Sequence, residues 1–220
     1  FDVFPVESEI KSVIDTQVRA FEEAGAIVEP VTLGIKRSQQ ELSDLWCRLI
    51  IPRNIATLEA ASANGPDLLG EHRNDFPPEY LQWIEEGYQL SAVDFYKDQE
   101  IRTEIYDCIQ QVFSKYDLLV TPTLACLPVD NADNGNTIGP TQINGEAVDP
   151  LIGWCLTYFI NFTGHPAASI PASLSTSGLP IGMQIIGRRY ADSEVLAASA
   201  EFERLRPWQD IYQVCRNRTG

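Results

Sequence analysis

The sequence predicts an α/β fold in which helices and β-strands alternate along one unit. Three observations predict it. Apolar residues recur at three- and four-residue spacing in several long stretches, as one face of a helix requires. Short, nearly continuous apolar runs bounded by Pro and Gly read as strands covered on both faces. No repeat, low-complexity tract or linker divides the chain.

The elements follow in order. Ser8 to Ala24 reads as a helix, with Ile10, Val13, Ile14, Val18 and Phe21 near one face and Gly25 placed to end it in a left-handed turn. Ala26 to Leu33 reads as a strand, at a sheet edge because Pro30 lacks an N–H. Ser38-Gln-Gln-Glu41 is a capping box that opens a helix carrying Leu42, Leu45, Trp46, Leu49 and Ile50. Pro52 is expected to kink or end it, with helix resuming from Asn54 to Ala63. Gly65 to Pro78 reads as polar loop. Ser91-x-x-Asp94 opens what should be the longest helix, striped by Ile101, Ile105, Cys108, Ile109, Val112 and Phe113.

Asp117 to Thr121 reads as a buried strand stopped by Pro122, and residues 124–150 as a long irregular loop, a kind that is usually functional or mobile. A short apolar helix is expected over Leu151 to Phe159. Ala167–Ala172 and Ile181–Gly187 read as two strands joined around Ser177-Gly178. Asp192 or Ser193 should cap a last helix carrying Val195, Ala198, Phe202 and Leu205.

Composition narrows the function. Of 220 residues, 44% are hydrophobic, which excludes a disordered chain. A formal net charge of −15 argues against nucleic acid and anionic membrane surfaces as partners. No run of about 18 apolar residues exists to span a bilayer. Cys47, Cys108, Cys126, Cys155 and Cys215 are odd in number and widely spaced, which predicts reduced thiols and a cytoplasmic protein. The chain begins at Phe1 without Met, which suggests a piece of something longer.

Searches for chemistry find no complete constellation. His72 and His165 have no partner at metal-ligand spacing, so no metal site is predicted. Asp130-Asn-Ala-Asp-Asn-Gly135 begins like a calcium loop but fails it, with Ala132 at the third position and Thr141 at the twelfth. There is no glycine-rich phosphate loop and no G-x-S-x-G. Ser8-Glu-Ile-Lys11 matches S-x-x-K, but Ser8 reads better as a helix N-cap with Lys11 on the solvent side. No catalytic residue is assigned to this chain, and no cofactor.

One segment is distinctive. Asn161-Phe-Thr-Gly-His-Pro-Ala-Ala-Ser-Ile-Pro171, followed by Gly178-Leu-Pro-Ile-Gly-Met-Gln-Ile-Ile-Gly187, resembles the C-terminal part of the amidase signature family. Asp117-Leu-Leu-Val-Thr-Pro-Thr123, the late helix before Pro207-Trp208, and the opening Val3-Phe-Pro-Val-Glu7 with Gly25-Ala-Ile-Val-Glu29 are similar to that family as well. The match is weakest between residues 34 and 115. The resemblance implies a mixed β-sheet flanked by helices, with residues 1–220 forming the C-terminal portion of a single domain.

It also implies amide hydrolysis by a Ser nucleophile, a bridging Ser and a Lys base, with backbone N–H groups of a Gly- and Ser-rich loop holding the oxyanion. Those parts belong to the family's N-terminal half, and none is found in these residues. This chain would then complete the sheet and part of the acyl pocket. Its expected partners are that N-terminal half and a small-molecule amide; without the half, it should associate with itself. The resemblance puts Trp154, seven residues before Asn161, beside the acyl group, with Leu151 one helical turn away on the same face. Related glutamine-dependent amidotransferases carry an acidic residue at that point. Trp154 cannot pair with an ammonium but can pack an apolar or aromatic acyl group. An amidase for a small apolar or aromatic carboxamide is therefore expected, in preference to a non-catalytic module or a glutamine-dependent amidotransferase subunit.

Overall fold

A computed structural model describes residues 1–132 and 136–209. The helices are α1 (Ser8–Gln17), α2 (Ala20–Glu23), α3 (Gln39–Ala63), α4 (Pro78–Gln89), α5 (Ala92–Phe113), α6 (Thr157–Asn161) and α7 (Asp192–Leu205). The strands are β1 (Leu118–Pro122), β2 (Gln142–Ile143), β3 (Glu146–Ala147), β4 (Ala167–Leu174) and β5 (Pro180–Gly187). The α/β fold with helices around a sheet is the one expected. Within the described residues the main sheet has the order β1-β5-β4, and both pairings are antiparallel. β5 is central, paired to β1 from Leu118↔Gly187 to Pro122↔Met183, and to β4 with an irregularity between Pro171 and Ser173.

The period-two rule explains how β5 is buried on both sides. Ile181, Met183 and Ile185 enter a core with Ile10 and Ile14 of α1, Phe21 of α2 and Val195 and Phe202 of α7. Ile186 and Leu119 enter a second core with Leu42 and Leu45 of α3, Ile105 and Ile109 of α5, and Tyr158, Phe159 and Ile160 of α6. The polar Gln184 is 2% exposed and is satisfied by donating to Thr121 Oγ1 at 3.1 Å.

Several expectations are corrected. The first helix breaks at Val18–Arg19, and its N-cap is Glu7 rather than Ser8. Ala26–Leu33 is not a strand: among the described residues no strand pairs with it, Pro30 has no N–H to give, and the N–H groups of Leu33 and Gly34 go to the Asp2 carboxylate at 3.0 and 2.7 Å. Helix α3 runs unbroken through Pro52 for 25 residues, which makes it longer than the 22 residues of α5. Packing outweighs the lost bond, since Leu42 and Leu45 before the proline and Ile51 and Ile55 around it are all buried.

Leu151–Phe159 is mostly turn, with helix only from Thr157. β1 includes Pro122 as its last residue instead of stopping before it. The loop 124–150 contains the β2–β3 hairpin. α7 starts after Ala191 without a side-chain cap. The capping box at Ser38–Glu41 is formed in full, and Gly25 has φ +89°, the left-handed conformation its place required. No described helix is long and apolar enough to cross a membrane.

Helix α4 begins inside the stretch that reads as loop. Its first turn carries Pro78 at the start, where a missing N–H costs nothing. It lies on the C-terminal half of α3 through a small cluster of Ile51, Ile55 and Ile84. A side chain on Gly87 would strike Ile51, so the two helices approach closely there.

Candidate functional site

Leu151 and Trp154 occupy one tight turn, not a helical face. Asp149 builds it: its Oδ1 accepts from the N–H of Leu151 at 2.8 Å and of Ile152 at 3.2 Å, while its carbonyl accepts from Gly153 N–H at 2.8 Å. Gly153 is required beneath, because a Cβ there would meet Gln39 and the Asp149 backbone. Gln39 belongs to a buried chain in which its Nε2 donates to Ser43 Oγ at 3.0 Å and that hydroxyl meets Tyr158 OH at 3.2 Å. Burial raises the Tyr158 phenol well above its ordinary range.

The half-buried Trp154 donates Nε1–H to Pro150 O at 3.0 Å. Pro150 O also accepts from Gly139 N–H at 2.7 Å, and a Cβ on Gly139 would fall inside the indole. Trp154 therefore lies against the 139 backbone and ties the loop to the turn. Its carbonyl takes Ala125 N–H at 2.9 Å, linking the turn to the end of β1.

Leu151 points elsewhere, into an apolar cleft of about 390 Å³. Phe76, Pro77, Tyr80 and Trp83 line it from α4 and its approach, and Asn136, Thr137, Ile138 and Leu151 from the loop and turn. Trp154 is outside this lining, so the two candidate binding residues serve different surfaces. Sequence reasoning does not single out Phe76, Tyr80 or Trp83. The readable signal is Pro78 followed by Tyr80, Trp83, Ile84 and Gly87 at helical spacing.

A second groove, of about 570 Å³, is polar and runs along α1, lined by Ser8, Lys11, Asp15, Arg19 and Asn144 among others. Among the described residues no hydrogen bond joins Ser8 to Lys11, and both side chains line this groove. His165 is structural. Thr163 Oγ1 gives its own hydrogen to Ile160 O at 3.0 Å and so must accept from His165 Nδ1–H at 2.7 Å. His165 Nε2 is then the acceptor for Gln110 Nε2–H at 3.0 Å. Burial, with a smaller push from Arg189, lowers the imidazole to about 4 and holds it neutral.

The thiols of Cys47, Cys126 and Cys155 are pushed up by burial, to about 12, 11 and 11, and are poor nucleophiles. Among the described residues Cys47, Cys108, Cys126 and Cys155 are free, and Cys215 lies outside them. Among the described residues no group of three His, Cys, Asp or Glu side chains could hold a metal ion. Part of the calcium-like segment Asp130–Gly135 lies outside the described residues.

Comparison with known proteins fits this geometry into a larger frame. The chain is 28% identical over 208 residues to an acylamidase of Rhodococcus erythropolis, covering 93% of this chain and 40% of that protein. It is 30% identical over 215 residues to a glutamyl-tRNA(Gln) amidotransferase chain of Moorella thermoacetica, covering 90% of this chain and 42% of the relative. Among solved structures, a bacterial aryl acylamidase of the amidase signature enzymes superposes with a TM-score of 0.94 at 51% identity, over 98% of this chain and 44% of that one. A 6-aminohexanoate cyclic dimer hydrolase shares the fold at a TM-score of 0.68 and 21% identity, over 92% of this chain and 42% of that one. The chain thus spans less than half the length of these relatives. The Amidase family model matches residues 1–196, and the chain belongs to that family.

Proposed function

We propose that this chain is the C-terminal portion of an amide hydrolase acting on a small apolar or aromatic amide. In this reading residues 1–220 complete the sheet and wall the substrate pocket. The Ser-Ser-Lys machinery and the oxyanion loop are supplied by an N-terminal half of the same protein. The observation that carries the reading is the superposition on an aryl acylamidase at 51% identity over 98% of the chain. The site agrees with it in chemistry. Trp154 offers an indole edge and face where an acyl group would pack, and Leu151 opens onto a cleft walled by aromatic side chains.

The strands support the division of labour. β1 and β4 are the edges of the described sheet, and their free sides would pair with strands of that half. The free, largely buried cysteines fit a reducing, cytoplasmic setting. The amidotransferase relatives favour a second reading, glutamine-dependent amide transfer. Trp154 weighs against it, since an indole committed to Pro150 O gives a glutamine ammonium no countercharge.

The test is hydrolysis by the longer protein that contains this chain, assayed with acetanilide, benzamide and glutamine. Release of aniline or ammonia from the first two, with glutamine untouched, is the expected result. Turnover of glutamine alone would move the assignment to the transferase, and turnover of none would leave a non-catalytic module.

A further inference from the structure

We infer that the cleft between α4 and the Ile138–Leu151 wall binds a small, free organic cation, a quaternary or methylated ammonium, on the rings of Phe76, Tyr80 and Trp83 with the Glu79 carboxylate at its rim. This site is independent of the hydrolase reading, which gives the acyl side to Trp154. The cleft's volume, about 390 Å³, falls within the range of roughly 300–1,000 Å³ typical of small-ligand sites. Its aromatic wall is prepacked. Phe76 and Tyr80 stack with centroids 5.8 Å apart at 19°. Tyr80 and Trp83 rest on the cluster of Ile51, Ile55 and the 1% exposed Ile84. On the other wall, Leu151 is held through its own N–H by Asp149, and Ile138 precedes the Gly139 against which Trp154 lies.

Shape alone would admit any apolar molecule, and charge selects the occupant. Asn136 lines the cleft and donates Nδ2–H to Glu79 Oε2 at 2.9 Å, so a carboxylate stands one hydrogen bond from the lining. Glu79's own N–H and the Asn136 amide hold that carboxyl below its ordinary range, and it is ionised at neutral pH. Among the described residues no Lys or Arg lines the cleft to neutralise it, and Arg73, the cation nearest to Glu79 in sequence, pairs with Glu85. The formal net charge of −15 adds a field that draws cations and repels anions. Aromatic faces carry the negative part of the ring quadrupole and attract a cation, Trp most strongly. A metal ion does not fit, because it exchanges its water for several ligand atoms, and among the described residues no group of three His, Cys, Asp or Glu side chains could hold one. A quaternary ammonium spreads its charge over methyl groups and is weakly hydrated. Its methyls can pack on Pro77, Ile138 and Leu151 while the rings and Glu79 meet the charge.

The experiment measures binding to the longer protein containing this chain by ligand-observed NMR titration. Choline is the probe, and 3,3-dimethylbutan-1-ol, its neutral carbon isostere, is the control. The two share their shape, so the difference between them reads the charge. Choline should bind, and the isostere about 10-fold more weakly or worse. Trp83→Leu should weaken choline about 3- to 30-fold, the span of one cation–π contact, and Trp83→Phe should restore most of the loss. Glu79→Gln keeps an acceptor for Asn136 and removes the charge. It should weaken choline about 2- to 5-fold and leave the isostere unchanged. If Trp83→Leu fails to fold, Phe76→Leu, ahead of α4, carries the same expectation. Equal binding of the two probes would overturn the inference, and so would choline binding that is unchanged in Trp83→Leu and Phe76→Leu. Absence of choline binding would overturn it as well and assign the cleft to packing against the rest of the protein. Because binding is the readout, a protein that cleaves no amide would break the functional reading and leave this result standing.

Discussion

The sheet body and the α3–α4 arm are built on different terms. In the body, β5 is covered on both faces, and the residues facing each way are among the most buried in the molecule. In the arm, α4 is held to α3 by a three-isoleucine cluster and, at its edge, by the half-exposed Tyr88, whose hydroxyl donates to Glu59 Oε1 of α3 at 2.8 Å. The body is specified by packing on both faces of β5, and the arm by one small cluster with a surface hydrogen bond beside it. The difference teaches where to look for specificity: the body fixes the turn at residues 149–154, and the arm supplies an aromatic surface against it.

Cavity mutations should separate body from arm most strongly. Phe159 is fully buried, with Phe162 at 5.9 Å and Phe4 at 5.7 Å in edge-on contact. Phe159→Ala should cost about 3–5 kcal/mol and lower the unfolding transition of the whole chain, followed by urea titration in the longer protein. Ile84→Ala should instead release α4 alone. Hydrogen exchange would then show protection lost in Pro78–Gln89 and kept in β5. Loss in both would mean that arm and body are one cooperative unit.

Acid gives the next largest effect, and it falls on the body. His165 is neutral when folded, at about 4, against an ordinary value near 6.5. The unfolded chain therefore takes up the proton first. The stabilisation is complete above about pH 6.5 and is lost as the pH falls towards 4, by about 2–3 kcal/mol. Protonated Nε2 would also face the Gln110 amide N–H, donor against donor. A His165→Asn variant, read by the same titration at pH 7 and pH 4.5, should have a flatter pH dependence. An unchanged profile would remove His165 as the cause.

Much of the body is legible in the sequence. The apolar runs at 118–121 and 181–187 form strands as read, the run at 167–172 forms one as well although it leaves Ala167 and Ser169 exposed instead of covering both faces, and Gly178, with φ +81°, marks the turn between the last two. The arm is not legible in the same way. Pro52 argues for a break that Ile51 and Ile55 override, and the prolines at 77 and 78 look like loop although one of them starts a helix. For the site, the sequence names Trp154 and Leu151 but does not orient them. Helical spacing places them on one face, whereas the Asp149 side chain turns the backbone and sends them to two surfaces. The aromatic wall of α4 emerges only from tertiary packing.

Smaller effects sharpen the division. Trp154→Ala should lower the ratio of kcat/KM for benzamide over acetamide in the longer protein by about 1–3 kcal/mol, because the aromatic acyl group loses its packing partner. An equal loss for both amides would make Trp154 a scaffold residue for the turn. Ser38→Ala removes the acceptor of Glu41 N–H at the start of α3, at 3.2 Å, and should cost about 1 kcal/mol. That cost should appear in both body and arm, since α3 spans the two.

On the proposed reading this chain shapes the site while the reacting serine lies outside residues 1–220. Labelling the longer protein with a fluorophosphonate, followed by peptide mapping, tests it most directly. Loss of amide hydrolysis is expected with the adduct on a serine outside these residues, and no turnover by the 220-residue chain alone. An inactivating adduct on Ser8, Ser12, Ser169 or any other serine of this chain would contradict it.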